Sequence, residues 1–102
     1  MKARALGGLL ACLLSLPALA DCVAPQAPAH LPSGATATRE DMLAAMQAIR
    51  DYEAAVKEFS DCARHTNDEI VMQIADRAVD RVRLIADKFN AELYAFKKRN
   101  DT

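Results

Sequence analysis

The stretch that decides the fold is residues 64–69, Arg64-His65-Thr66-Asn67-Asp68-Glu69. Apolar residues recur at steps of three and four before and after this stretch, but none continues the pattern through it. Asn67 and Asp68 favour turns, because their short side chains form local hydrogen bonds that compete with helix. Thr66 and Glu69 have the spacing of a capping box, which marks a helix start. The stretch therefore predicts a break between two helices.

Helix one is predicted over about residues 39–64. Thr38 suits the N-cap and Asp41 the reciprocal capping-box position, with an acidic first turn that the helix dipole favours. The steps of three and four place the apolar residues on one helix face. That face comprises Met42, Ala45, Met46, Ile49, Tyr52, Val56, Phe59 and Ala63.

Helix two is predicted over about residues 67–98, followed by a frayed tail at residues 100–102. Basic residues at 97–99 close the helix, where its dipole favours positive charge. Oppositely charged residues three or four apart lie on the outer face. The apolar stripe comprises Val71, Ile74, Ala75, Ala78, Val82, Ile85, Phe89, Leu93 and Phe96.

The expected fold class is all-α, with an antiparallel, coiled-coil-like helical hairpin over residues 38–99. A connection this short makes two successive helices fold back on one another. The alternative is a single uninterrupted helix of about 60 residues. The hairpin is favoured because the single helix would leave both apolar stripes in water.

Residues 21–37 form a separate proline-rich arm. Pro25, Pro28 and Pro32 favour extended polyproline-II geometry, and Pro32-Ser33-Gly34 is typical of a turn. An arm of this length can run back along helix one and bring Cys22 to Cys62. We therefore expect a packed third layer held by a Cys22–Cys62 disulfide; the alternative is that each cysteine is a free or intermolecular thiol.

Residues 1–20 have the three-part layout of a secretory signal peptide. Lys2 and Arg4 precede an uncharged apolar run, and cleavage is expected near Ala20/Asp21. The expected location is thus periplasmic or secreted, where thiols are oxidised. The sequence before Cys12 loosely resembles a lipobox, so lipidation there is a less favoured alternative. An intact mass would distinguish the two.

Charge argues against nucleic acid as a partner. Without residues 1–20 the chain keeps 11 basic and 14 acidic side chains, a net charge of −3. Nucleic-acid binding needs a strongly basic face instead. No second long apolar run follows residue 20, so membrane contact is expected to be peripheral at most.

The sequence predicts neither an enzyme nor a bound cofactor or metal. It has no glycine-rich phosphate loop, no Ser/His/Asp grouping and no C-x-x-C pair. Cys62 and His65 share a helix face, and with a free thiol they would form a candidate metal or redox site. A structural zinc site needs four ligands, and the only other histidine is His30, so Cys62 is interpreted as half of a disulfide.

The pattern C-V-A-P-Q-A-P-A-H-L-P-S-G at residues 22–34, then F-S-D-C at 59–62 and D-K-F-N at 87–90, resembles an uncharacterised family of small secreted proteobacterial proteins. The resemblance covers nearly the whole chain after residue 20. It implies an envelope location and the arm, two-cysteine and two-helix architecture. It implies no activity.

Three functions remain open from the sequence. The first is a non-enzymatic periplasmic helical protein that binds an envelope protein client or a second copy of itself. The second is a peripheral protein that contacts anionic lipid through a helix face or the basic C-terminal end. The third, least favoured, is a metal or thiol-redox protein using Cys62 and His65.

Overall fold

The computed structural model describes residues 22–100, and these form two helices with no strand among them. Helix α1 spans Arg39–Thr66 and helix α2 spans Glu69–Asn100. The two helices pack against each other as a hairpin, which confirms the expected all-α class. The predicted signal peptide, its cleavage site, Cys12 and the last two residues lie outside the described part of the chain.

Helix α1 begins at the predicted capping box. The backbone amide of Asp41 donates to the Thr38 hydroxyl at 3.0 Å, and the amide of Thr38 donates to the Asp41 carboxylate at 3.2 Å. Two amides that have no partner within the helix are thereby satisfied. The end of α1 lies at Thr66, two residues beyond the predicted boundary.

The turn between the helices differs from the predicted one. Asn67 adopts the left-handed conformation (φ 58°, ψ 21°), which ends α1. The Asp68 carboxylate accepts hydrogen bonds from the amides of Ile70 (2.9 Å) and Val71 (3.3 Å), so Asp68 caps α2.

The predicted capping box between Thr66 and Glu69 is therefore wrong. Thr66 is still helical, and its hydroxyl donates to the Ala63 carbonyl at 2.7 Å. The same hydroxyl accepts from the Asp68 amide at 3.1 Å. A residue that completes one helix cannot also take the extended N-cap conformation of the next, so the cap moves to Asp68.

The core consists of two clusters along the hairpin. Near the loop, Phe59 and Ala63 of α1 pack with Ala75 of α2. Near the open end, Met42 packs with Phe89 and with Ala37 of the arm. All of these lie on the apolar faces predicted from the sequence, except Ala37, which the arm contributes.

The arm is a third layer on one side of the hairpin. Cys22 and Cys62 form a disulfide, with their Cα atoms 5.7 Å apart, and Cys22 packs against the loop-end cluster. At the other end of the arm, Leu31 packs against the open-end cluster. The expected disulfide between the N-terminal region and helix one is thus confirmed.

Candidate interaction surface

The side of the hairpin that the arm covers is closed. Pro25 and Pro28 lie beside Ala48, Tyr52 and Ala55 of α1. Tyr52, at the edge of the apolar face of α1, is only 5% exposed. The proline rings thus replace the water that would otherwise reach this face of α1.

Gly34 fixes the arm on α2. The backbone amide of Gly34 donates to the Glu92 carboxylate at 2.8 Å. A Cβ at this position would overlap the backbone carbonyl of Glu92 and would lie 2.8 Å from the amide nitrogen of Phe96. Glycine is required here because two backbones approach each other closely.

Arg99 holds the turn that follows Gly34. Its guanidinium donates to the carbonyls of Ala35 at 2.8 Å and Ala37 at 2.7 Å, and it lies over the Phe96 ring at 5.1 Å from the centroid. The planar fork of an arginine suits two neighbouring carbonyls in a way that a lysine cannot. Part of the basic C-terminal end therefore stabilises the position of the arm.

The opposite side of the hairpin is open. At about 100° per residue, Lys57 lies roughly 140° around α1 from Tyr52, on the side away from the arm. A shallow groove runs between the helices on this side, and we call it the open groove. Its apolar floor is continuous with the core.

The open end of this groove is its most apolar part. It is a cleft of about 410 Å³ between the two helices. Leu43 stands on its edge with 47% of its surface exposed. The lining residues are Arg39, Met42, Leu43, Met46, Phe89, Leu93, Phe96 and Lys97.

The loop end of the open groove combines an apolar floor with charged rims. Val56, Val79 and Val82 form the floor, and Val79 is 37% exposed. The α1 rim carries Glu53, Lys57 and Arg64, whereas the α2 rim carries Asp76, Asp80 and Arg83. Ser60, which is 9% exposed, accepts a hydrogen bond from Arg64 at 3.2 Å.

A second apolar surface lies on α2 beside the disulfide end of the arm. Ile70, Ile74 and Leu84 are exposed by 69%, 43% and 56%. The steps of four, three, four and three from Ile70 to Leu84 place exposed Arg77 and Arg81 in the same row. We call these five residues the α2 stripe.

Cys62 and His65 do not form a free thiol–imidazole pair. Cys62 is consumed by the disulfide. The His65 ring donates through Nδ1 to the carbonyl of Asp61 at 2.7 Å. Within residues 22–100, no group of three or more His, Cys, Asp or Glu side chains is arranged to hold a metal ion.

The disulfide and the arm are predictable from the sequence, whereas the open groove is not among the sequence-based predictions. Leu43, Val79 and Arg83 were absent from the predicted apolar stripes because each lies at the edge of a stripe, not at its centre. A second row at residues 39, 43, 46, 50, 53 and 57, again in steps of three and four, is the signal that would have identified the α1 side of the groove.

In the described part of the chain, neither helix has an apolar stretch long enough to cross a membrane. No family model matches the chain, and searches of curated proteins and of solved structures find no match either. The resemblance to small secreted proteobacterial proteins therefore stays a prediction from the sequence.

Proposed function

We propose that this chain is a non-enzymatic protein of the cell envelope that acts by binding an amphipathic helix of a protein partner in its open groove. The observation that carries the proposal is the asymmetry of the hairpin. One side is closed by the stapled arm, whereas the opposite side keeps Leu43 and Val79 exposed over an apolar floor. Surfaces of this kind, apolar in the middle and charged at the rims, are typical of helix-in-groove recognition.

The envelope location rests on two observations. Residues 1–20 have the composition of a secretory leader. The Cys22–Cys62 disulfide is a bond that persists in oxidising compartments and is rare in reducing ones. An exported, disulfide-stapled hairpin meets its partners in that compartment.

Site-specific photo-crosslinking in living cells tests the groove. A photoreactive amino acid is placed at Leu43 or Val79 in the groove, and, as controls, at exposed Ala44, about 100° around α1 from Leu43, and at Leu84 in the α2 stripe. We expect protein adducts from the two groove positions and few or none from the controls. Equal adducts at all four positions, or none in the groove, would contradict the proposal.

A second candidate function, peripheral contact with anionic lipid, is favoured by the α2 stripe. Its three exposed aliphatic side chains flank two arginines over about 21 Å of helix, at 1.5 Å per residue. Such a row can lie in the headgroup region of a bilayer. The basic C-terminal end is a weaker candidate, because Arg99 binds the arm.

Vesicle co-sedimentation at physiological salt tests this second candidate. Retention by vesicles rich in phosphatidylglycerol, lost in R77E/R81E and kept in the groove variant L43S, would support lipid contact through the stripe. Absence of retention with correctly folded, oxidised protein would exclude it. Because the two candidates use different faces of the hairpin, the same variants distinguish them.

A further inference from the structure

We propose that the helical partner in the open groove is a second copy of this chain, related by a two-fold axis parallel to the helices, with both loops at the same end. This inference rests on the proposed function and names its partner. In the resulting four-helix arrangement, α1 of each copy lies against α2 of the other. Every neighbouring pair of helices is then antiparallel, as in up-and-down bundles.

The order of charges along the two rims of the groove supports this inference. Near the loop, the α1 rim is basic at Lys57 and Arg64, whereas the α2 rim is acidic at Asp76 and Asp80. Farther from the loop the signs reverse, with Glu53 on α1 and Arg83 on α2.

Matching positions on the two rims lie at the same height. Glu53 and Arg83 are each about 20 Å from the loop along the hairpin, at 1.5 Å per residue. Lys57 and Asp80 are each about 15 Å from it. Going from the loop to the open end, the order of signs on one rim is therefore the inverse of the order on the other.

Within one chain these rim charges do not satisfy one another. The ion pairs present among residues 22–100 are Lys57–Asp61 at 3.2 Å and Arg64–Asp61 at 3.7 Å, and both lie along α1. No pair crosses the groove in that part of the chain. Lys57 and Arg64 therefore share Asp61 on their own helix, whereas Glu53 and Arg83 form no ion pair among residues 22–100 and remain available to a partner with the inverse order of signs.

A second copy has that inverse order in only one orientation. With the loops together, Glu53 of one copy faces Arg83 of the other, and Lys57 faces Asp80, each twice by symmetry. With the loops at opposite ends, α1 faces α1, and when the two helices overlap over their whole length Glu53, at the middle of α1, faces Glu53 of the other copy and like charges repel. The charge order therefore selects the arrangement with the loops together.

The apolar contacts fit the same arrangement. Leu43 and Val79, which are half-exposed in the single chain, would lie in the shared interior between the two grooves. At the open end, Arg39 would lie near Lys97 of the second copy, so like charges meet there. Two attractive pairs in each half of the dimer outweigh this one repulsive contact.

The proposal is tested with charge-reversal variants of the exported, oxidised protein. Sedimentation equilibrium measures the self-association of each variant alone and of the two variants mixed. E53R and R83E alone each place like charges at the contact twice per dimer, so each should self-associate about tenfold more weakly than the wild type. An equimolar mixture of the two variants restores both pairs and should associate like the wild type. The matched controls E58R and R81E carry the same charge changes outside the groove and should leave association unchanged.

A monomeric wild type at about 50 µM, a concentration at which a micromolar dimer would be largely associated, overturns the proposal. So does a mixture that associates no better than its two components. Circular dichroism and thermal unfolding of each variant confirm that it is folded, so a loss of association reflects the contact itself. Groove crosslinks to a different polypeptide in cells would leave the proposed function standing while the second copy is excluded.

The orientation is tested separately with a nitroxide attached at Glu69→Cys, beside the loop. Loops at the same end place the two labels within about 35 Å, whereas loops at opposite ends separate them by the length of a helix, more than about 45 Å. A dimer with the long distance would refute the arrangement derived from the rim charges.

Discussion

The amide of Gly34 and the carboxylate of Glu92 are joined by a 2.8 Å hydrogen bond across 58 positions of the chain. This contact brings an arm backbone directly onto a helix backbone, with no side chain between them. Together with the disulfide at the other end of the arm, it determines which side of the hairpin is covered. The open groove exists because the arm is fixed on the other side.

We expect Gly34→Ala to destabilise the protein by about 2–4 kcal/mol, because the added methyl group forces the arm away from Glu92 and Phe96. Thermal unfolding of the oxidised protein measures this. Thr36→Ala, at an exposed position of the same turn, is the control and should change the midpoint little. An unchanged midpoint for Gly34→Ala would show that the arm does not lie against α2.

Arg99→Ala should cost about 1–3 kcal/mol, since two charge-assisted hydrogen bonds to the turn are lost. Arg99→Lys should recover only part of this, because an ammonium cannot bind both carbonyls in the geometry of the fork. Urea unfolding gives both values. Lys98→Ala is the neighbouring control, and equal effects from the two alanine substitutions would refute the role assigned to Arg99.

Reduction of the disulfide should lower the free energy of unfolding by about 4 kcal/mol on the chain-entropy model, for a bond that joins residues 40 positions apart. It should also free the outer part of the arm, while Gly34 and Arg99 keep its inner end in place. Limited proteolysis reports this directly: cleavage between Val23 and Leu31 should be slow in the oxidised protein and fast in the double variant C22S/C62S. Fast cleavage of both would mean that the arm is not packed.

Asp68→Ala should destabilise the protein by about 1 kcal/mol, because two amides at the start of α2 lose their acceptor. Glu69→Ala should have little effect, because Glu69 is not part of a capping box in the folded chain. Chemical denaturation of both variants decides between the observed cap and the one expected from the sequence. A larger loss for Glu69→Ala would favour the sequence-based capping box.

Local sequence was sufficient for much of the fold. The capping box at Thr38 and Asp41 needs only neighbouring residues, and the apolar periodicity defines two helices without reference to anything else. The Cys22–Cys62 disulfide was predictable because the arm is long enough to reach and few cysteines compete. In each case the structure depends on interactions between neighbouring residues, or on how far the intervening chain can reach.

The rest depends on long-range packing. Thr66 and Asp68 are both acceptable caps by residue type, and the left-handed Asn67 decides between them. Gly34 looked like an ordinary turn glycine, since its contact with Glu92 depends on how the arm lies on α2. The open groove could not be predicted for the same reason. The position of the arm determines which edge of each apolar stripe stays in water.

Hydroxyl-radical footprinting that compares the dilute purified protein with the protein in intact cells tests directly whether the side opposite the arm is a protein-binding surface. We expect the oxidation of Leu43, Met46 and Leu93 to fall several-fold in cells, while Ile70, Ile74 and Leu84 stay as reactive as in the purified protein. Unchanged oxidation in the groove, or protection confined to the α2 stripe, would contradict it.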